Sequence, residues 1–138
     1  MADQTYVAID KMGVKDAFDR KYKSSLPSVI TAVAEKAVKK SSKLTTKKPK
    51  DKKAEGFYLS GGVVKLECVK KGKGEVLKVQ VKMQLATWPK KSMFGFSTDN
   101  GSYPFQAKSV DADVKFLVET VVGNAMKSAV KELEKRAK

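Results

Sequence analysis

Strict alternation between apolar and polar residues runs from Leu77 to Leu85. Each apolar residue of this run is separated from the next by Lys or Gln. Because successive side chains of a β-strand point to opposite faces of the sheet, the alternation predicts a strand over 75–85 with one buried face and one wet face. Residues 57–59 and 63–69 have the same strand-like composition. The middle of the chain therefore predicts a sheet that is covered on one side.

Glycine-containing turn signals divide this region into hairpins. Residues 70–74 predict a turn between the two long strands, because glycine tolerates the positive φ angles of tight hairpins. Residues 99–101 (Asp-Asn-Gly) predict a second turn, which joins strands at 94–97 and 103–105. A short first strand is predicted at residues 6–9.

Apolar residues recur at helical spacing in three further segments. Residues 13–23 and 27–40 predict two helices, and residues 111–136 predict the longest one. The element order is then β-α-β-β-β-β-α, with or without the first strand. This order predicts a single α+β domain over residues 1–138. The domain is a two-layer sandwich, with an antiparallel sheet of four to five strands and with the N-terminal and long C-terminal helices packed on one face.

Residues 39–55 differ from the rest of the chain in composition. They hold eight lysines against Asp51 and Glu55, and Leu44 is their only large apolar residue. Because like charges repel and little apolar surface can be buried, the segment predicts a flexible Lys-rich loop.

The whole chain is strongly basic, with 29 Lys and Arg residues against 15 acids and a net charge of +14. We therefore predict a non-enzymatic binding module for an anionic polymer, most simply DNA or RNA. Binding would tolerate many sequences, because lysine lacks the bidentate fork with which arginine reads bases. Trp88 would offer a stacking surface for bases, and the alternative is that it lines the core. The predicted contact residues are Lys47, Lys48, Lys50, Lys52, Lys53, Lys70, Lys71, Lys73, Trp88, Lys90 and Lys91.

The same charge has a second interpretation. Lysine heads can serve solubility alone, or attraction to anionic lipid or an envelope polymer. The chain would then be a protein-interaction or envelope module. In that case the broad apolar stripe of residues 111–136 could pack against a second copy, which predicts a homo-oligomer.

Catalytic and metal-binding arrangements are hard to build from this sequence. The chain has no histidine, which removes Ser-His pairs, Cys-His pairs and histidine metal sites. Cys68 stands alone in a strand-like context, where a free thiol behaves as a small apolar side chain. Residues 56–62 are glycine-rich, but a strand follows them where a phosphate loop needs a helix start, so they predict a β-bulge or bend. We predict no catalytic residue, no metal, no cofactor and no enzymatic activity.

We expect no targeting or membrane-spanning segment in this sequence. No run approaches the roughly 20 apolar residues of a spanning helix, and the first residues lack a basic segment followed by an apolar core. A single Cys needs no oxidising compartment. We therefore predict a cytoplasmic protein, the alternative being a mature envelope protein recloned behind a methionine.

Overall fold

The computed structural model describes residues 4–51 and 53–137, and these contain one five-stranded sheet, three α-helices and one 3-10 turn. The strands are β1 (Thr5–Val14), β2 (Leu44–Thr45), β3 (Gly56–Lys71), β4 (Gly74–Trp88) and β5 (Met93–Pro104). The helices are α1 (Lys21–Ser25), α2 (Pro27–Lys39) and α3 (Val110–Arg136), with the 3-10 turn at Ala107–Ser109.

The strand order across the sheet is β2-β1-β3-β4-β5. Strands β3, β4 and β5 form an antiparallel meander, and β1 joins it in parallel beside β3 and β2. Helices α2 and α3 pack against each other and share one core with the sheet. The predicted α+β fold with helices on one face of a sheet is therefore confirmed. The sheet is mixed, whereas the prediction was an antiparallel one, because β1 pairs in parallel with both β2 and β3.

The alternation that predicted β4 places one side of this strand in the core. Its inward side chains are at most 1% exposed: Leu77, Val79, Val81, Met83 and Leu85. Helix α3 covers them with an apolar stripe of its own, which includes Val114, Val118, Val122 and Met126. Burying one such large side chain contributes roughly 1.5–3 kcal/mol, so this contact is a main source of stability.

Gly61 and Gly62 lie where β3 passes very close to both neighbouring strands. Both residues have positive φ, at 124° and 134°. A Cβ atom on Gly61 would overlap the carbonyl oxygen of Lys82, and one on Gly62 would overlap the carbonyl oxygen of Gly13. The glycine-rich segment 56–62 is therefore part of strand β3, and its pairing with β1 has an irregularity of the bulge type between Ile9 and Met12.

The predicted helix over 13–23 is wrong for most of its length. Strand β1 continues to Val14, and the chain after it stays paired with β3: the Lys15 N–H donates to the Val63 carbonyl at 2.8 Å. The Phe18 N–H then donates to the Leu66 carbonyl at 2.9 Å. Because these N–H groups are bonded to β3, residues 15–18 are held beside the sheet and cannot form a helix. The first helix, α1, begins after them at Lys21.

The predicted turn at 99–101 is also wrong, because β5 runs straight through it. Asp99 pairs with Val81 and Gly101 pairs with Val79 in one regular register. The glycine serves packing here: a Cβ atom on Gly101 would overlap the Val121 side chain of α3. The turn before β5 lies instead at residues 89–92, after a cis Trp88–Pro89 bond.

Part of the segment 39–55 is anchored to the fold. Leu44 is 1% exposed and pairs with Thr5 through β2, a strand that the sequence prediction omitted. Ser41 is buried as well, and its hydroxyl donates to a carboxylate oxygen of Glu134 in α3. The segment is therefore anchored to the fold as far as Thr45. The flexibility of residues 46–55 stays a prediction.

Candidate interaction surface

The structure separates the predicted contact lysines into two groups. Strand β3 begins at Gly56, opposite Trp88, and ends at Lys71, opposite Gly74. Its 16 residues would span about 50 Å if fully extended, so the two ends of the strand are far apart. The group beside Gly56, which we call the basic end, contains Lys47, Lys48, Lys50, Lys53, Lys90 and Lys91. The opposite group contains Lys70, Lys71 and Lys73. Lys52 lies outside the described residues.

Trp88 has an aromatic partner within the domain at the basic end. Its ring packs edge-on against the Tyr6 ring, with 4.9 Å between centroids, and the side chain is half-buried. Lys91 is also engaged: its Nζ lies 4.7 Å from the centre of the Tyr58 ring and 3.9 Å from a carboxylate oxygen of Asp10. Two of the predicted contact residues therefore have partners within the domain.

A shallow depression of roughly 530 Å³ lies at the basic end, between the start of β3 and the end of α3. Among the described residues that line it, Glu55 supplies the carboxylate, and Lys90 and Arg136 supply the cations. The Arg136 guanidinium lies 4.0 Å from the centre of the Phe94 ring, which is a cation–π contact. Acid–base catalysis by two carboxylates needs a second acid, and this lining does not contain one.

Asp111 joins α1 to the start of α3 at the other end of the molecule. The Tyr22 hydroxyl donates to Asp111 Oδ1 at 2.7 Å, and the Lys21 Nζ lies 2.9 Å from the same oxygen. Hydrogen bonds from Lys21 and Tyr22 lower the pKa of Asp111. Burial, followed by the hydrogen bond to Asp111, raises the pKa of Tyr22. Since Asp111 sits in the first turn of α3, its charge also suits the helix dipole. This cluster has a structural role.

Within the described residues, the side chain that hydrogen-bonds to the Cys68 thiol is a carboxylate, which does not activate the thiol as a nucleophile. Its Sγ donates to a carboxylate oxygen of Glu75 at 3.4 Å, and burial followed by this hydrogen bond raises the pKa of the thiol. The thiol is therefore protonated at neutral pH. Because the thiolate is the reactive form of cysteine, this protonation disfavours nucleophilic attack by Cys68. Within residues 4–51 and 53–137, no group of three His, Cys, Asp or Glu side chains comes together to hold a metal ion.

Strand β5 forms an exposed surface that the sequence prediction missed. It lies at one edge of the sheet and pairs with β4 in unbroken register from Gly95 to Pro104. The large apolar side chains most exposed around it are Met93, Phe96, Tyr103 and Phe116. The signal in the sequence was residues 92–107, the longest stretch without Lys or Arg in this basic chain. We call this surface the β5 edge.

The sequence matches no protein-family model, and no curated protein matches it. Solved structures nevertheless resemble it over nearly the whole chain. The hypothetical protein CT253 from Chlamydia trachomatis superposes with a TM-score of 0.65 at 10% identity, with 96% of each chain covered. A minor lipoprotein from Acinetobacter baumannii superposes with a TM-score of 0.57 at 6% identity, covering 96% of this chain and 94% of that one.

A PelC dodecamer from Paraburkholderia phytofirmans has the same fold. It superposes with a TM-score of 0.50 at 12% identity, covering 91% of this chain and 89% of that one. At these identities the likeness shows a shared fold. In the part of the chain that is described, no helix has the length and apolar character needed to cross a bilayer.

These comparisons correct two predictions made from the sequence. None of the three similar proteins is named for nucleic-acid binding, and one is named a minor lipoprotein. The prediction of a nucleic-acid-binding module and the prediction of a cytoplasmic location are therefore wrong. The geometry gives a physical reason for the first error, because the contact lysines are divided between two ends and Trp88 packs on Tyr6.

Proposed function

We propose that this chain is a non-enzymatic interaction module of the cell envelope that assembles with copies of itself. The observation that supports it most is the fold, which the minor lipoprotein shares over 96% of this chain. The PelC structure supports the second part of the proposal, since the same fold occurs there in a dodecamer. A small α+β domain that acts by contact needs an exposed surface and no catalytic centre.

The distribution of ionisable groups supports a contact role. A depression of roughly 470 Å³ lies on the open face of the sheet, the face opposite the helices. Its lining includes Lys65, Glu67, Lys78 and Asn100. There the Lys65 Nζ already holds the Glu67 carboxylate at 2.9 Å. Both partners are substantially exposed, so this pair resembles an ordinary surface ion pair.

The lysines serve solubility in this proposal. Those of the basic end and of the opposite hairpin are exposed, and their charged heads can stay hydrated. A net charge of +14 keeps copies apart except where a specific contact outweighs the repulsion. The charge therefore restricts self-assembly to surfaces that carry few cations.

The location is tested by fractionation of the source cells with an antibody raised against the purified chain. We expect the chain in the envelope fraction, together with an envelope marker protein. Washing with concentrated salt is the control, because adsorption of a basic protein onto anionic membranes is screened by salt. Recovery with a cytoplasmic marker would show that the envelope assignment is incorrect.

Self-assembly is tested separately by sedimentation velocity of the purified chain over a range of concentrations. We expect a species heavier than the 15.1 kDa monomer, whose fraction grows with concentration. A single monomer boundary at every concentration would contradict self-assembly and would leave the location untouched.

A further inference from the structure

The β5 edge has the features of a strand that pairs with another chain. A strand at the edge of a sheet presents unpaired backbone N–H and C=O groups, and natural proteins usually blunt such edges with lysines, prolines, bulges or short strands. Beyond a bulge at Phe94, β5 is regular for ten residues, from Gly95 to Pro104. Its only proline is Pro104, at its last position. The usual protective devices are therefore missing along most of this edge.

Lysine is the commonest protective residue, and its absence from β5 is marked in this chain. The sequence contains 29 Lys and Arg residues, yet none between Lys91 and Lys108. Asp99 is the only charged residue in that interval. Strand β5, which lies at one edge of the sheet, thus falls within the longest interval of the chain that has no cation.

The opposite edge of the sheet shows the protection that β5 lacks. Strand β2 contributes only Leu44–Thr45 there. Beyond it, β1 carries the exposed residues Asp10 and Lys11, at an irregularity in register between Ile9 and Met12. A short strand, a bulge and charged residues all discourage pairing with another strand.

Apolar side chains flank the β5 edge on both faces of the sheet. On the helix side, the Tyr103 and Phe116 rings meet with 5.6 Å between centroids, and Phe116 is 54% exposed. On the open side, Phe96 is 63% exposed, with the Lys82 Nζ 4.7 Å from its ring centre. A strand added to β5 would bury aromatic surface on both of its faces, and aromatic anchors dominate the energetics of protein interfaces.

The charge pattern favours a second copy of this chain as the occupant. An acidic partner would be drawn to lysines, so a cation-free edge gives it no electrostatic advantage. Two copies of a chain with a net charge of +14 repel each other over most of their surfaces, and the repulsion is smallest where the contacting strand has no cation. The edge is suited to a partner that is itself basic.

We infer that β5 of one copy pairs antiparallel with β5 of a second copy about a two-fold axis. The inference rests on the self-assembly in the proposed function and names the surface that produces it. Pairing of this kind forms one continuous sheet of ten strands, five from each copy, with the helices of both copies on the same face. Phe116 and Tyr103 of both copies then lie on the helix side, between the helices of one copy and those of the other. Phe96 of both copies lies on the opposite face of the sheet.

Asp99 limits the register of this pairing. A register centred on Asp99 would place the two carboxylates opposite each other, which is destabilising. A register centred on Thr98 or on Asn100 avoids this contact and keeps the side chains of each face together. We therefore expect either Thr98 or Asn100 to lie at the two-fold axis.

The test compares two lysine substitutions that differ only in their distance from the edge. Asn100 is exposed and pairs with Gln80 of β4, which is exposed on the same face but lies one strand further in. We expect Asn100→Lys to raise the dissociation constant of the dimer by about tenfold or more, because it places like charges near the axis. Gln80→Lys adds the same charge further from the edge, so it should change the dissociation constant by less than about threefold. Sedimentation velocity measures both.

Disulfide cross-linking gives a second readout, which is needed if Asn100→Lys fails to fold. In a Cys68→Ser background, Thr98→Cys and Asn100→Cys are compared with Gln80→Cys. We expect mild oxidation to give a covalent dimer for at least one edge variant and not for the Gln80→Cys control, since bridged cysteines need Cα atoms about 4.4–6.8 Å apart.

The outcomes separate this inference from the proposed function. Assembly of the wild type that persists in Asn100→Lys, without edge-specific cross-linking, overturns the β5 pairing and leaves self-assembly standing. A monomeric wild type overturns both. Loss of assembly in Asn100→Lys alone, or cross-linking confined to residues 98 and 100, supports the inference.

Discussion

Substitution of Leu44 by alanine tests whether the Lys-rich segment is anchored to the fold. Leu44 is 1% exposed and belongs to the single core of the domain. Leucine-to-alanine changes at buried sites cost about 2–5 kcal/mol, through lost transfer free energy and the cavity that remains. Strand β2 is only two residues long and lies at a sheet edge, where the surroundings can relax, so we expect the lower part of this range, about 2–3 kcal/mol.

This loss is readily measured by urea denaturation followed by circular dichroism. A domain of this length has a free energy of unfolding of about 7–20 kcal/mol, so the variant should still fold. For a urea m-value of about 2–3 kcal/mol per molar, the midpoint should fall by roughly 1 M. Lys47→Ala is the matched control, because it is exposed in the same segment and should change stability by less than about 0.5 kcal/mol.

Equal midpoints for Leu44→Ala and Lys47→Ala would refute the reasoning. They would mean that Leu44 is not packed in solution and that the whole of residues 39–55 is flexible, as the sequence alone predicted. A large loss in Leu44→Ala confirms that the anchored part extends to Thr45.

Two further substitutions test the packing of α3 at two of its contacts with the rest of the domain. Gly101→Val should destabilise the domain by about 1–3 kcal/mol, because the new side chain would overlap Val121 of α3. Gly95→Ala is the control, since no atom lies within 4 Å of its added Cβ. A Gly101→Val variant as stable as Gly95→Ala would contradict this packing. Tyr22→Phe should lower the denaturation midpoint at neutral pH by removing the hydrogen bond to Asp111. The pKa of Asp111 is lowered in the folded state, so the stability linked to its charge is present above its unfolded pKa of about 4 and is lost as the pH falls through the folded value. The gap between wild type and Tyr22→Phe should therefore narrow below about pH 4, and a gap independent of pH would contradict this role of the Tyr22 hydroxyl.

Strand β4 and helix α3 were predictable because their own residues carry the pattern of their environment. From Leu77 to Leu85 of β4 every second residue is apolar and buried, and in α3 the apolar stripe faces the sheet. The hairpin at residues 70–74 was predictable for a similar reason, since Gly72 supplies the positive φ, 64°, that the turn requires.

The errors arose where distant contacts override local preference. Asp99-Asn100-Gly101 favours a turn locally, but pairing with β4 and the need for a small residue beneath α3 keep it extended. The helical spacing within 13–23 is likewise overridden by backbone pairing with β3. In both cases the paired residues lie more than 15 positions apart in the sequence.

The position of the candidate surface was hidden for a further reason. A local pattern can identify β5 as a strand but cannot show that it lies at an edge, because the order β2-β1-β3-β4-β5 is a property of the whole sheet. The lysine-free interval 92–107 was visible in the sequence from the start. Its meaning became clear only when that interval was found to lie along an exposed edge.

The size of the purified wild-type particle tests the proposed role most directly. At moderate salt and rising concentration, self-assembly through a cation-poor strand predicts a growing population at twice the 15.1 kDa chain mass or above. An unchanging one-chain particle across the whole concentration range would contradict it.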